Sequence, residues 1–241
     1  MAIEYEYIHD WGGKGVYAWH GTAMQIQQIR LRQGNVLLLS LCEASDYDEW
    51  GENMTSYFTE ELAKWFYQKV VPLCYGNRTH LSRKRLILQS CKRFIDRVNQ
   101  EFLRYQDRHN RNQIISCSIL LLLNHTYLIV QVGNLECTYL TIPPRSEKLQ
   151  FFQKRQKSPS YLGVKDLCVP IVKKGILRRK AGIIMYSPSF FQGTPISTFG
   201  KQYMRMRTSQ ARMQKLLSEI GTRNRNKNQE EQMEAIMVWR R

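Results

Sequence analysis

The apolar positions of the chain fall into two kinds of pattern, short unbroken runs and longer stretches with helical spacing. Val36 to Cys42 (VLLLSLC) is an unbroken run behind Gly34-Asn35 and ahead of the polar stretch Glu43 to Glu49. It predicts a buried strand feeding a loop. From Met54 to Val70, Tyr57, Phe58, Leu62, Trp65 and Phe66 recur at near-helical spacing, so an amphipathic helix is expected there. Asn53 or Thr55 is its expected cap, and Pro72 is expected to stop it. Ser82 to Arg108 carries a second apolar stripe, Leu86 through Tyr105, on a long Arg-rich helix.

Ile114 to Leu123, Tyr127 to Val132 and Cys137 to Ile142 are three strand-like runs joined by the turns Asn124-His125 and Gly133-Asn134, which predicts a β-meander. Beyond Pro143-Pro144 the chain is polar and basic, with little pattern, up to the strand-like Gly182 to Tyr186. Phe190 to Gly193 reads as the start of a connection, Thr208 to Ile220 as a helix, Gly221 to Asn228 as a polar turn and Met233 to Trp239 as a last strand. Antiparallel runs with grouped helices point to an α+β protein and exclude a doubly wound sheet.

Length and composition narrow this further. A chain of 241 residues with 43% hydrophobic and 23% charged side chains, and no Pro/Gly/Ser-rich linker, is expected to form one domain over residues 1–241. The longest apolar run, Ile114 to Leu123, is about half of what a bilayer requires, so no membrane span is expected. Met1 to Glu6 lacks the basic start and apolar centre of a secretory leader. The six cysteines (42, 74, 91, 117, 137, 168) are scattered, without the close pairing of a zinc site. Together these features suit a reducing cytoplasm.

Charge changes the picture more. Lys plus Arg is 36 against 20 for Asp plus Glu, a formal charge of +16, concentrated in Arg78 to Arg111, Arg145 to Lys180 and Lys201 to Arg225. Such a surface attracts anions: an acidic or phosphorylated protein, nucleic acid or anionic lipid. No nucleic-acid motif accompanies it, so any affinity for nucleic acid is expected to be sequence-independent and salt-sensitive. There is no P-loop, Rossmann glycine fingerprint, His-Glu-x-x-His or Gly-x-Ser-x-Gly, and His9, His20, His80, His109 and His125 are scattered.

The order and spacing of the elements resemble those of the type 2C, metal-dependent serine/threonine protein phosphatases, especially the short bacterial kind, over nearly the whole chain. Val36 to Cys42, Glu43-Ala44 and Gly51-Glu52-Asn53-Met54-Thr55-Ser56 look like the family's strand, Asp-Gly turn and Gly-Glu-x-Ala-Ser helix start. Ser116 to Leu123, Tyr127 to Val132 and Gly133-Asn134-Leu135-Glu136 are similar to its Gly-Thr-Thr strand, hairpin and Gly-Asp-Ser-Arg turn. Ile183 to Phe191 looks like the strand ending in Ser-Asp-Gly, with Ser187 kept. Glu231 to Ile236 stands in place of the terminal Asp-Asn-Ile-Thr motif.

The resemblance implies a four-layer αββα fold, with an antiparallel β-sandwich flanked by helices. It also implies a site where carboxylates hold two Mg or Mn ions that activate a water. At those positions this chain has Glu43, Ala44, Pro188 and Glu231, so only two acids remain, each one methylene longer. The family's phosphate-binding arginine most resembles Lys14, and Tyr17-Ala18-Trp19 stands where acids are expected. The reading is a pseudophosphatase: catalytic residues none, bound cofactor none, Glu43 and Glu231 the weak metal candidates, Lys14 the phosphate candidate, and an acidic or phosphorylated protein the partner. Two rivals stay open. One is a divergent Mg- or Mn-dependent phosphatase that recruits further acids such as Asp46, Asp48 or Glu49; the other is a basic nucleic-acid-binding protein.

Overall fold

The computed structural model describes residues 5–10, 21–31, 34–75, 80–140, 146–148, 160–206, 208–225 and 234–240. Among these residues ten strands form two antiparallel five-stranded sheets. In chain order, β1 (Tyr5–Asp10), β2 (Thr22–Leu31) and β3 (Gly34–Ala44) precede three helices: α1 (Glu49–Trp65), α2 (Val71–Tyr75) and the 30-residue α3 (His80–His109). There follow β4 (Ile115–Leu123), β5 (Thr126–Val132), β6 (Glu136–Leu140), β7 (Ser146–Lys148), β8 (Ile171–Ile176) and β9 (Gly182–Tyr186). Helices α4 (Ile196–Met206) and α5 (Gln210–Arg225) and strand β10 (Ala235–Arg240) complete the described chain. One sheet has the order β2-β3-β4-β5-β8, the other β1-β10-β9-β6-β7.

Three apolar layers hold these elements together. Leu37, Leu39 and Leu41 of β3 and Leu120 and Leu122 of β4 point between the sheets, where they meet Ile183 and Met185 of β9 and Ile236 and Val238 of β10. The alternate residues Val36, Leu38 and Cys42 face outward onto Phe58, Leu62 and Phe66 and onto Phe94, Ile95 and Val98 of α3. On the other sheet, Ile184, Met237 and Trp239 pack under Phe199, Tyr203 and Leu217 of α4 and α5. A central strand is therefore covered on both faces, which is why its sequence is an unbroken apolar run rather than an alternation. The expected αββα sandwich is the observed one.

Three helix boundaries differ from expectation. Helix α5 runs on to Arg225, through the first part of the stretch expected to be a polar turn, because a glycine inside a helix costs only about 1 kcal/mol. The cap of α1 is Asp48, whose carboxylate accepts the Gly51 N–H at 2.8 Å, and not Asn53 or Thr55, which lie inside the helix. Pro72 does not stop the helical path. A π turn over Phe66–Val70, with the Val71 N–H bonded to the Phe66 carbonyl, widens the helix just before the proline, and Pro72 sits in the first turn of α2. The missing proline N–H falls where a new helix leaves its donors unpaired in any case. Strands β1, β2, β7 and β8 and helices α2 and α4 were not legible as elements. Among the described residues no helix is long and apolar enough to cross a membrane.

Candidate functional site

At one end of the sandwich the two sheets diverge into an open cleft of about 510 Å³, floored by the ends of β3 and β4 and by the segment after β9. Its position follows from the register. Glu43 is paired with Thr22 on one side and with Ser116 on the other, and all three belong to the row that faces the space between the sheets. Glu43 accepts the Tyr47 hydroxyl at 3.2 Å. Ser116 donates to the Asn134 side chain at 2.8 Å, across the turn that begins at Gly133. That turn requires glycine: Gly133 has φ of +86°, and a Cβ there would lie 2.3 Å from the Ser116 hydroxyl.

Buried behind the cleft is the junction where β9 ends and β10 begins. Ser187 and Glu234 bond each other through their backbones, Ser187 N–H to the Glu234 carbonyl at 3.0 Å, and the Glu234 N–H donates to the Ser187 hydroxyl at 2.9 Å. The buried Glu234 carboxylate accepts the Thr22 hydroxyl. Thr22 is thus the strand partner of Glu43 and the hydrogen-bond donor to Glu234. The charges of the two glutamates register at Cys42, whose thiol is pushed well up, mainly by burial and further by both carboxylates. Pro188 and Ser189 follow on a short 3-10 turn and, with Gln192, form the cleft's rim.

Three of the residues singled out in the sequence, Glu43, Ala44 and Pro188, line this one cleft. Lys14 and Glu231 lie outside the described residues, as do Tyr17, Ala18 and Trp19. The rival acids are not drawn into the cleft. Asp48 is spent on the cap of α1, Glu49 begins that helix, and Asp46 and Asp48 border a separate small hollow beside Trp50 and Arg111. Ser116, Asn134 and Glu234 stand in the stretches that resemble the family's motifs but were not singled out as site residues, and Tyr47 was not either. The available signal was position: Glu234 is the acid immediately ahead of the apolar run Ala235 to Trp239, and residues just outside strand ends are the ones a sandwich delivers to its rim.

The whole arrangement has known counterparts. No family profile matches the sequence, and no curated protein does. Solved structures do. A bacterial serine phosphatase superposes with a TM-score of 0.74 at 13% identity, over 99% of this chain and 97% of that one. The S. agalactiae serine/threonine phosphatase gives 0.73 at 11% identity, over 98% and 99%. The catalytic domain of the serine/threonine protein phosphatase PstP, solved with two manganese ions, gives 0.70 at 12% identity, over 99% and 98%. The chain has the type 2C phosphatase fold. At such identities the likeness speaks for architecture, and what the type 2C fold does here has to be read from the side chains.

Among the described residues the cleft offers few of the donors that two hard cations take. Divalent Mg or Mn is held chiefly by several carboxylate and carbonyl oxygens. Glu43 is the one carboxylate among the described residues lining the cleft, and Pro188 offers no side-chain oxygen. Among the described residues no group of three or more His, Cys, Asp or Glu side chains is placed to share an ion. The described lining has no Lys or Arg either, so nothing there complements a phosphate charge. What it offers is neutral hydrogen bonding from Ser116, Asn134, Tyr161 and Gln192 around one glutamate.

Proposed function

We propose that the protein is a pseudophosphatase, a type 2C phosphatase-like domain over residues 1–241 whose cleft no longer hydrolyses phosphate esters and which acts by binding acidic or phosphorylated proteins. The observation that carries this reading is the lining of the cleft, one carboxylate and no cation among the described residues. Hydrolysis of a phosphate monoester is among the slowest of uncatalysed reactions, and a metal both lowers the pKa of the attacking water and steadies the leaving oxygen. Acid–base help alone is worth roughly 10²–10⁴-fold, far short of what such a reaction needs. The charge of +16 supports a role in holding anionic partners. Six free, buried cysteines support a reducing, cytoplasmic setting.

One observation favours the rival reading of a divergent Mg- or Mn-dependent phosphatase: Thr22, the strand partner of Glu43, donates its hydroxyl to a second carboxylate, Glu234. A single experiment separates the two. Phosphate release from phosphoserine and phosphothreonine peptides is followed with Mn or Mg in large excess, for the parent and for Glu43→Ala, Glu231→Ala and Glu234→Ala. No turnover above buffer is the expected result. Metal-dependent turnover that Glu43→Ala abolishes establishes the enzyme instead.

A further inference from the structure

The helical layer over the first sheet has a feature that the cleft does not use. Helices α1 and α3 run antiparallel, and their outer seam is bridged at three levels. The Tyr57 hydroxyl donates to Glu101, Glu61 takes both Lys64 at 2.7 Å and Arg97 at 2.8 Å, and the Trp65 indole N–H donates to Ser90 at 2.8 Å. The seam opens into two hollows, about 430 Å³ beside Tyr57 and Tyr105, beyond the first bridge, and about 540 Å³ beside Trp65 and Phe94, around the other two. Both lie in the size range of ligand pockets.

The rim is cationic. Lys64, Lys69, Arg93, Arg97, Arg104 and Arg108 line the two hollows, against the carboxylates Glu61 and Glu101. Both of those acids are already engaged by Lys64, Arg97 and Tyr57, while Lys69, Arg93, Arg104 and Arg108 form no ion pair with any described carboxylate. The floor is apolar. Trp65 and Phe94 stack at 5.7 Å with 5% and 3% of their surface exposed, and Met54 and Phe102 lie under the other hollow. Tyr57 and Tyr105 stand open to solvent at its edge. Tyr, Trp and Arg around a desolvated floor are the composition of protein-binding hot spots.

We propose that this seam is the docking site for an acidic, extended segment of a partner protein, with an apolar side chain in the Tyr57–Tyr105 hollow and anionic groups on Lys69, Arg93 and Arg104. It rests on the binding reading above for the class of partner; the surface itself is on the outer face of the helix layer rather than in the cleft. From Arg93 to Arg108 the helix advances roughly 22 Å at 1.5 Å per residue, the span of about seven residues of extended chain. A peptide fits better than a nucleic acid. Phosphodiester tracking wants an unbroken cationic line with open stacking faces, and here Glu61 and Glu101 interrupt the line and the rings of Trp65 and Phe94 are covered.

The test uses the full chain and a labelled peptide of about seven residues, alternating glutamate with leucine, alongside its phosphoserine counterpart, a leucine-to-serine version and a length-matched single-stranded oligonucleotide. Lys69→Glu/Arg93→Glu/Arg104→Glu reverses the seam. Lys201→Glu/Arg205→Glu/Arg212→Glu makes the same charge change on exposed positions of α4 and α5. Circular dichroism confirms that both variants fold. The expected result is binding that the seam variant weakens at least about tenfold, a loss of some 1.4 kcal/mol, that the control variant leaves within about threefold, and that the serine peptide weakens too. The glutamate and phosphoserine peptides tell a carboxylate ligand from a phosphate. Equal losses in the two variants overturn the proposal in favour of net charge alone, and tighter binding of the oligonucleotide overturns it in favour of nucleic acid. No binding of either peptide also overturns it, while the phosphate-release result stands separately.

Discussion

Replacing Gly133 by alanine places a side chain in the most crowded turn of the candidate site. The backbone there has φ of +86°, and the new Cβ would meet Ser116 at 2.3 Å from Oγ, 2.6 Å from Cβ and 2.8 Å from Cα. A non-glycine residue in left-handed backbone costs about 1–2 kcal/mol, and forcing an extra carbon into a packed site adds about 1–3 kcal/mol. A total of about 3 kcal/mol in a chain of this size lowers Tm by about 6–12 °C. The hydroxyl could rotate away from the new carbon, but the Ser116 Cα could not, since it belongs to β4 and is held in register against Glu43 of β3. Thermal unfolding followed by circular dichroism reads the loss directly. The double variant Gly133→Ala/Ser116→Gly removes the two closest contacts and leaves the third, so it is expected to recover part of the loss and to show coupling between the sites. A Gly133→Ala protein that melts within about 1 °C of the parent would falsify the conformation assigned to this turn.

The remaining expectations concern other parts of the molecule. Thr22→Val takes a donor from the buried Glu234 carboxylate and is expected to cost about 1.5–3 kcal/mol in urea unfolding, whereas Thr22→Ser keeps the donor and stays near the parent; equal behaviour of the two variants refutes the bond. Glu61 raises the Lys64 pKa by its hydrogen bond and charge. This contribution is complete below the ordinary lysine value of roughly 10.4 and is lost as pH climbs through the raised one. The stability difference between the parent and Glu61→Gln should therefore hold steady up to roughly pH 10.4 and shrink above it, and a pH-independent difference speaks against it. All six cysteines are buried, with Cys91 pushed up to about 12 and Cys168 to about 11 chiefly by desolvation. A thiol reagent should label the native protein far more slowly than the urea-unfolded one, and rapid labelling of any one cysteine contradicts its placement.

What the sequence by itself determined was the set of elements covered on both faces. Strands β3, β4, β5, β6, β9 and β10 and helices α1, α3 and α5 could each be read from apolar runs or helical stripes, because burial on two sides, or along one full face, leaves an unbroken record in the residue types. The four strands that escaped notice, β1, β2, β7 and β8, are the four sheet edges. An edge strand is held by hydrogen bonds to a single neighbour and tolerates Gln, Lys and Arg, so β2 (TAMQIQQIRL) and β8 (IVKKGI) have no pattern that sets them apart from loop. The site divides in the same way. Glu43, Ala44 and Pro188 were visible because they flank legible central strands. The pairing of Glu43 with Thr22, the capture of the Thr22 hydroxyl by Glu234 and the joining of Ser116 to Asn134 depend on register between segments as much as 212 residues apart, and register is fixed only when the sheets pack. The seam of α1 against α3 belongs with these. Each helix announced its buried stripe, but which cations would line a common groove was decided by the antiparallel docking of one helix on the other.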